Sequence, residues 1–151
     1  MESNWILGSE MFGVHTHYIL EDDGHVLLRM EGRQSNLPFV ELVSVAYEVD
    51  LYKTFIPFCS KSDLLHRIGI VEFIVHAHIW TPFAISRDAL VHAFCSDCLM
   101  EYGKVVLLCS SVDSYPGIEL PQAVSGYFHD RIDLKTMKVI VEATSPTDAK
   151  V

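Results

Sequence analysis

The chain has 151 residues, about one domain's length; half are hydrophobic and 21% charged, which excludes a disordered chain and favours a filled core. Its 20 acidic residues against 11 basic ones leave a net charge of −9 with histidine neutral. That balance opposes nucleic-acid binding and broad docking on anionic membranes, and leaves room only for a transient apolar membrane contact. No run reaches the ~20 apolar residues of a membrane-spanning helix. The start, Met1-Glu2-Ser3-Asn4-Trp5, lacks the basic and apolar regions of a secretory leader, so a cytoplasmic protein is expected. Disulfides among Cys59, Cys95, Cys98 and Cys109 are then the weaker expectation.

Alternation predicts a first strand over Phe12–Leu20, with Phe12, Val14, Thr16, Tyr18 and Leu20 on one face and Gly13, His15, His17 and Ile19 on the other. Glu21-Asp22-Asp23-Gly24 reads as a turn, and His25–Glu31 as the returning strand with Val26, Leu28 and Met30 aligned. Pro38 then opens a helix whose Phe39, Leu42, Val43, Ala46 and Tyr47 share one face. Asp50 is placed to cap a second, short helix through Phe55, which Pro57 stops.

From Arg67 the pattern becomes β. Arg67–Trp80 sets Val71, Phe73, Val75, Ala77 and Ile79 against Ile70, Glu72, Ile74, His76, His78 and Trp80. A turn or bulge over Thr81–Ile85 follows, then a hairpin of Ser86–Met100 and Lys104–Ser111 across Glu101-Tyr102-Gly103. Weaker strands are expected over about Ala123–Ile132 and Thr136–Ala143, and a loose polar tail from Ala143 to Val151. The order β-β-α-α-β-β-β-β-β implies an α+β domain, an antiparallel sheet with its helices on one side.

Trp80-Thr81-Pro82-Phe83-Ala84-Ile85-Ser86-Arg87-Asp88, followed by Gly103-Lys104-Val105-Val106 and Ser110-Ser111-Val112-Asp113, resembles the middle of a START domain. In that family an aromatic-proline turn leads into Ser-Arg-Asp or Pro-Arg-Asp at a strand start, and Ser-Val-Asp ends a strand one hairpin later. Trp5, Phe12-Gly13-Val14, Asp23-Gly24 and Val49-Asp50-Leu51-Tyr52 stand in family order, so the likeness runs from about Trp5 to Val141. It implies a helix-grip fold: a curved antiparallel sheet around a long C-terminal helix, enclosing an apolar tunnel for one lipid or sterol. It further implies non-catalytic lipid binding, with transfer between membranes, and no cofactor. The chain reaches Val151 without an amphipathic segment to serve as that helix, so a C-terminally incomplete domain over 1–142 and a flexible tail over 143–151 are expected. The alternative is a protein-interaction module, its open face covered by a partner or by further chain.

On this reading the ligand-binding wall consists of Phe12, Val14, Tyr18, Val26, Leu28, Met30, Phe73, Val75, Ala77, Val91 and Ala93, with Arg87 a candidate for either a head group or a structural pair. Steroid-binding members carry a buried acid–base pair. Alignment on Phe73-Ile74-Val75-His76 and Arg87-Asp88 places those positions near Ala77 and Ala93, which favours a more uniformly apolar ligand.

His15/His17 and His76/His78 offer four imidazoles to a zinc ion, but alternation puts them on the outer sheet face, where solvated histidines are expected. Cys95-Ser96-Asp97-Cys98 has zinc or redox spacing, yet residues three apart on a strand diverge, which favours buried structural thiols. Catalysis would need convergent titratable groups, and the inward faces offer only Tyr18, Thr16, Cys95 and Arg87.

Overall fold

The computed structural model describes residues 5–11, 13–34, 38–56, 58–80, 86–123, 129–145 and 148–151. The expected first hairpin is present: β2 (Val14–Leu20) and β3 (Val26–Gln34) pair antiparallel from Val14–Gly32 to Leu20–Val26. Gly24, at φ +87°, lets the turn close with its N–H donating to Glu21 O at 3.0 Å. An additional strand, β1 (Ile6–Met11), lies along β2. Its register shifts between Leu7 and Ser9, which breaks the period-two pattern a sequence reading relies on.

Helix α1 (Phe39–Tyr47) follows the apolar periodicity. The second helical segment is a 3₁₀ turn (Val49–Leu51) running into α2 (Tyr52–Phe55). Asp50 does not cap it. Its Oδ1 accepts the Leu64 N–H at 3.0 Å and so ties this segment to the sheet. The expected stop at Pro57 lies outside the described residues.

The strand expected over Arg67–Trp80 is β5 (Glu72–Ile79), and a polar-rich β4 (Cys59–Arg67), absent from the expected order, precedes it across a turn held by Ile68 N–H to Glu72 O at 2.7 Å. Register shifts at Cys59/Lys61 and Leu64/His66 hide β4 from an alternation test. The turn expected over 81–85 lies outside the described residues. Next come β6 (Ser86–Cys98), one helical turn α3 (Leu99–Tyr102) ending on left-handed Gly103, and β7 (Lys104–Ser111). The expected strand over Ala123–Ile132 is described only as β8 (His129–Arg131), parallel to the start of β6.

The C-terminal stretch expected to be loose is instead largely in the sheet. β9 (Met137–Ser145) pairs with β7, and β10 (Asp148–Lys150) sits between β9 and β3. The strand order is β1-β2-β3-β10-β9-β7-β6-β5-β4, antiparallel throughout, with β8 beside β6. The α+β expectation holds.

Each face of this sheet carries its own core. On the inner face, Val49, Phe73, Val75, Ala93 and Cys109 are buried together, with Tyr47, Tyr52 and Leu64 packed against them. On the outer face, Ile74, Leu90 and Leu120 form a second cluster under the segment that carries Val112, Tyr115 and Ile118. Among the described residues no helix is long and apolar enough to cross a membrane.

Candidate functional site: the inner face of the sheet

Strand pairing carries one face across the sheet. Tyr18 lies opposite both Ile6 and Leu28, Thr16 opposite Met30, and Leu20 opposite Val26. Through β10 and β9 this face continues to Val141 and Leu107, then to Ala93 and Val75 under the helices. The inward positions proposed from alternation therefore do share one face, but the structure divides them into two environments.

The β5–β6 members are core. Phe73, Val75 and Ala93 are 3%, 8% and 2% exposed. They lie beneath the 3₁₀ turn and its flanks, with the Tyr47 and Phe73 rings 5.8 Å apart. Val91 packs against the same cluster, and Ala77, opposite Ala89, is half-buried. Buried Ser62 donates to Val49 O at 2.7 Å, and Tyr52 O–H donates to Ala46 O at 2.6 Å, so the helical segment is pinned at both ends. Burial, with Cys109 nearby, pushes the Tyr52 phenol up to about 12. This half of the face is occupied by the chain itself.

The β2–β3 members are open. Val26, Leu28 and Met30 are 54%, 61% and 60% exposed, while Val14 and Tyr18 are half-covered. Phe12 lies outside the described residues. One hollow, about 600 Å³, adjoins this half between β3 and β9, where Leu28, Met30 and Ile140 border it together with the charged Arg29, Glu31, Lys104, Lys138, Glu142 and Lys150. Another, about 510 Å³, lies away from β1–β3, between α1 and the sheet, against Val43, Tyr47, Val71, Cys95 and Val105. Arg87 is exposed on the inner face at the start of β6, opposite Ile79.

Asp88 points the other way, and its role was not visible in the Arg-Asp motif. Its Oδ2 accepts Arg131 Nε at 3.0 Å and Nη2 at 2.5 Å, and His76 Nε2 at 2.9 Å, in a site where the carboxylate side chain is 4% exposed. Arg131 Nη1 also donates to Pro121 O at 3.0 Å, which fastens the outer segment to the sheet. Nearby, Glu72 accepts His92 Nε2 at 2.7 Å and the Tyr115 hydroxyl at 2.9 Å. The expectation of solvated outer-face histidines is thus corrected for His76, which is buried because this segment covers it.

His15 and His17 sit on β2, His76 and His78 on β5, far apart in the strand order. Among the described residues no group of three or more His, Cys, Asp or Glu side chains is placed to hold a metal. Cys95 is buried on the inner face and Cys98, three residues on, is half-buried; all four thiols are free. Burial, reinforced by Cys95, pushes the Cys109 thiol up to about 11. A thiol reagent is expected to modify Cys98 in the native protein and to reach Cys59, Cys95 and Cys109 only on unfolding, a difference that mass spectrometry of timed aliquots reads directly.

The element order and the antiparallel sheet give an α+β, helix-grip-like fold, and its solved counterparts are START domains. The chain is similar to the STAR-related lipid transfer protein of Xanthomonas axonopodis, with a TM-score of 0.78 and 17% identity over 99% of this chain and 80% of that one. It is similar to human STARD10 (TM-score 0.72, 14% identity), spanning 99% of this chain and 59% of that chain. The human StarD13 (DLC2) lipid transfer and protein localization domain matches at 0.69 with 16% identity, over 97% and 71%. No family model matches the sequence, and no curated protein matches it. The fold of this chain is that of the START domains.

Proposed function

We propose that the chain is a non-catalytic, cytoplasmic module that holds a lipid or similar apolar ligand against the β1–β3 half of its inner face. The observation that carries this reading is the division of that face: Phe73, Val75 and Ala93 are covered by the chain's own helices, whereas Val26, Leu28 and Met30 are not. Apolar surface withdrawn from water is worth ~25 cal/mol per Å², so an acyl chain laid along this strip gains affinity without a charged anchor. Val26, Leu28 and Met30 bring no charged group to this strip, which favours a uniformly apolar ligand over a steroid that needs a charged partner. Four free thiols accord with a reducing compartment. The only buried histidine–carboxylate pair in the described residues, His76–Asp88, is sealed on the outer face by Arg131 and not directed at the strip, which supports a binding role over catalysis.

Incubation with vesicles containing a fluorescent phospholipid, followed by separation of protein from vesicles, tests this. Recovery of lipid with the protein in a saturable, one-to-one ratio is the expected result, and its movement from donor to acceptor vesicles would extend binding to transfer. Protein recovered without lipid contradicts the proposal.

A further inference from the structure

The open strip has a charge pattern of its own. Its inward positions are Ile6, Met11, Leu20, Val26, Leu28 and Met30, with Thr16 and Tyr18 the polar members on β2. All six apolar side chains are exposed, between 49% and 66%. The charged side chains of these strands, among them Glu10, Arg29 and Glu31, alternate onto the opposite face. The strip itself therefore carries no charge. It ends, between Leu20 and Val26, at Glu21-Asp22-Asp23, three acidic residues in succession at the hairpin tip.

At the tip His25 Nδ1 lies 2.8 Å from Asp23 Oδ2, and of the cations beside Leu28 and Met30, Arg29 and Lys150 pair with Glu31 and Lys104 with Glu142, with Lys138 next to them. Lys135 is paired with Asp133 at 2.5 Å, although it also senses Asp23. Arg87 lies on β6, four steps along the strand order from β3. Asp23 accepts the His25 backbone N–H at 3.0 Å, which with the His25 side chain holds its carboxyl below the usual range.

We infer that the β1–β3 strip is the surface by which this protein meets a bilayer, and that the bilayer it fits is zwitterionic rather than anionic. The inference rests on the lipid-binding reading. An exposed apolar strip inserts into the headgroup boundary through burial of its side chains. The acidic tip meets the headgroups first, and an anionic leaflet, which attracts basic segments, repels it.

Flotation with sealed vesicles tests the inference. Wild-type protein is expected to float with pure phosphatidylcholine vesicles, insensitively to salt. Replacing about a third of the lipid with phosphatidylserine is expected to weaken association roughly tenfold at low ionic strength, with recovery at high salt. The triple variant Glu21→Gln/Asp22→Asn/Asp23→Asn should lose this discrimination and still float with phosphatidylcholine. Leu28→Gln/Met30→Gln, at exposed positions and neutral in charge, should abolish flotation with unchanged thermal unfolding. Flotation that rises with phosphatidylserine, or that survives Leu28→Gln/Met30→Gln, overturns the inference. So does a protein that carries lipid yet never floats; the absence of bound lipid would instead remove the lipid-binding reading beneath it.

Discussion

Arg131→Leu is expected to destabilise the protein by about 3–5 kcal/mol, because it strands the Asp88 carboxylate in a dry site. The Asp88 side chain is 4% exposed and that of Arg131 13%. Asp88 Oδ1 already lacks a partner among the described groups, so the charge rests on what reaches Oδ2, and two of the three hydrogen bonds there come from Arg131. The same substitution frees Pro121 O and loosens the segment over Ile74 and Leu90. Urea unfolding reads the loss as a lower midpoint. Adding Asp88→Asn is expected to recover part of it, since the stranded charge is then gone. An Arg131→Leu protein as stable as wild type would show that the clasp contributes nothing.

Acid sensitivity follows from the same group. Burial works to raise the Asp88 pKa, but the hydrogen bonds from Arg131 and His76 prevail and hold it below its ordinary value. A depressed folded pKa contributes stability that is fully present above the unfolded value, about 3.9, and is lost as pH falls through the folded one. Wild-type stability should therefore fall below about pH 4 by more than that of Asp88→Asn, which starts lower and changes less. Parallel pH profiles for the two proteins would contradict this.

The second large effect separates ligand wall from core. Leu28→Asp/Met30→Asp is expected to weaken lipid uptake by about a hundredfold, some 2.7 kcal/mol, because it places charge where an apolar ligand lies. Both positions are exposed, so unfolding should move by no more than about 0.5 kcal/mol. Phe73→Ala is expected to do the reverse. It opens a cavity beneath Val49 and Tyr47 and costs about 3–5 kcal/mol, while the molecules that remain folded keep their affinity within a few-fold. Val91→Asp, in the same cluster, would unfold the protein before it reported on ligand. Uptake lost in folded Phe73→Ala but intact in Leu28→Asp/Met30→Asp would move the ligand to the β5–β6 half.

Much of this architecture was readable because alternation is a local signal. Parity sorted Tyr18, Leu28, Val75 and Ala93 onto the apolar face of their own strands, and the ladder joins those faces across the sheet. Helix α1 was equally legible from its 3.6-residue period. The failures have a common physical origin in breaks of the period. Register shifts within β1 and β4 carry side chains across the pleat, so neither strand reads as alternating. β10 is three residues of ordinary polar sequence and is a strand only because β3 and β9 flank it. Parity also says which way a side chain points and nothing about what lies over it. Phe73 and Leu28 read alike in sequence, yet one sits beneath the helical segment and the other faces solvent. The Asp88–Arg131 clasp joins residues 43 apart, a pairing no local pattern encodes.

If the uncovered half of the inner face holds one apolar ligand, native mass spectrometry of the protein isolated directly from its own cells records the polypeptide together with a single lipid, lost from Leu28→Asp/Met30→Asp and retained by folded Phe73→Ala. A bare chain, soluble only in complex with another polypeptide, would contradict it and make the open strip a protein-binding surface.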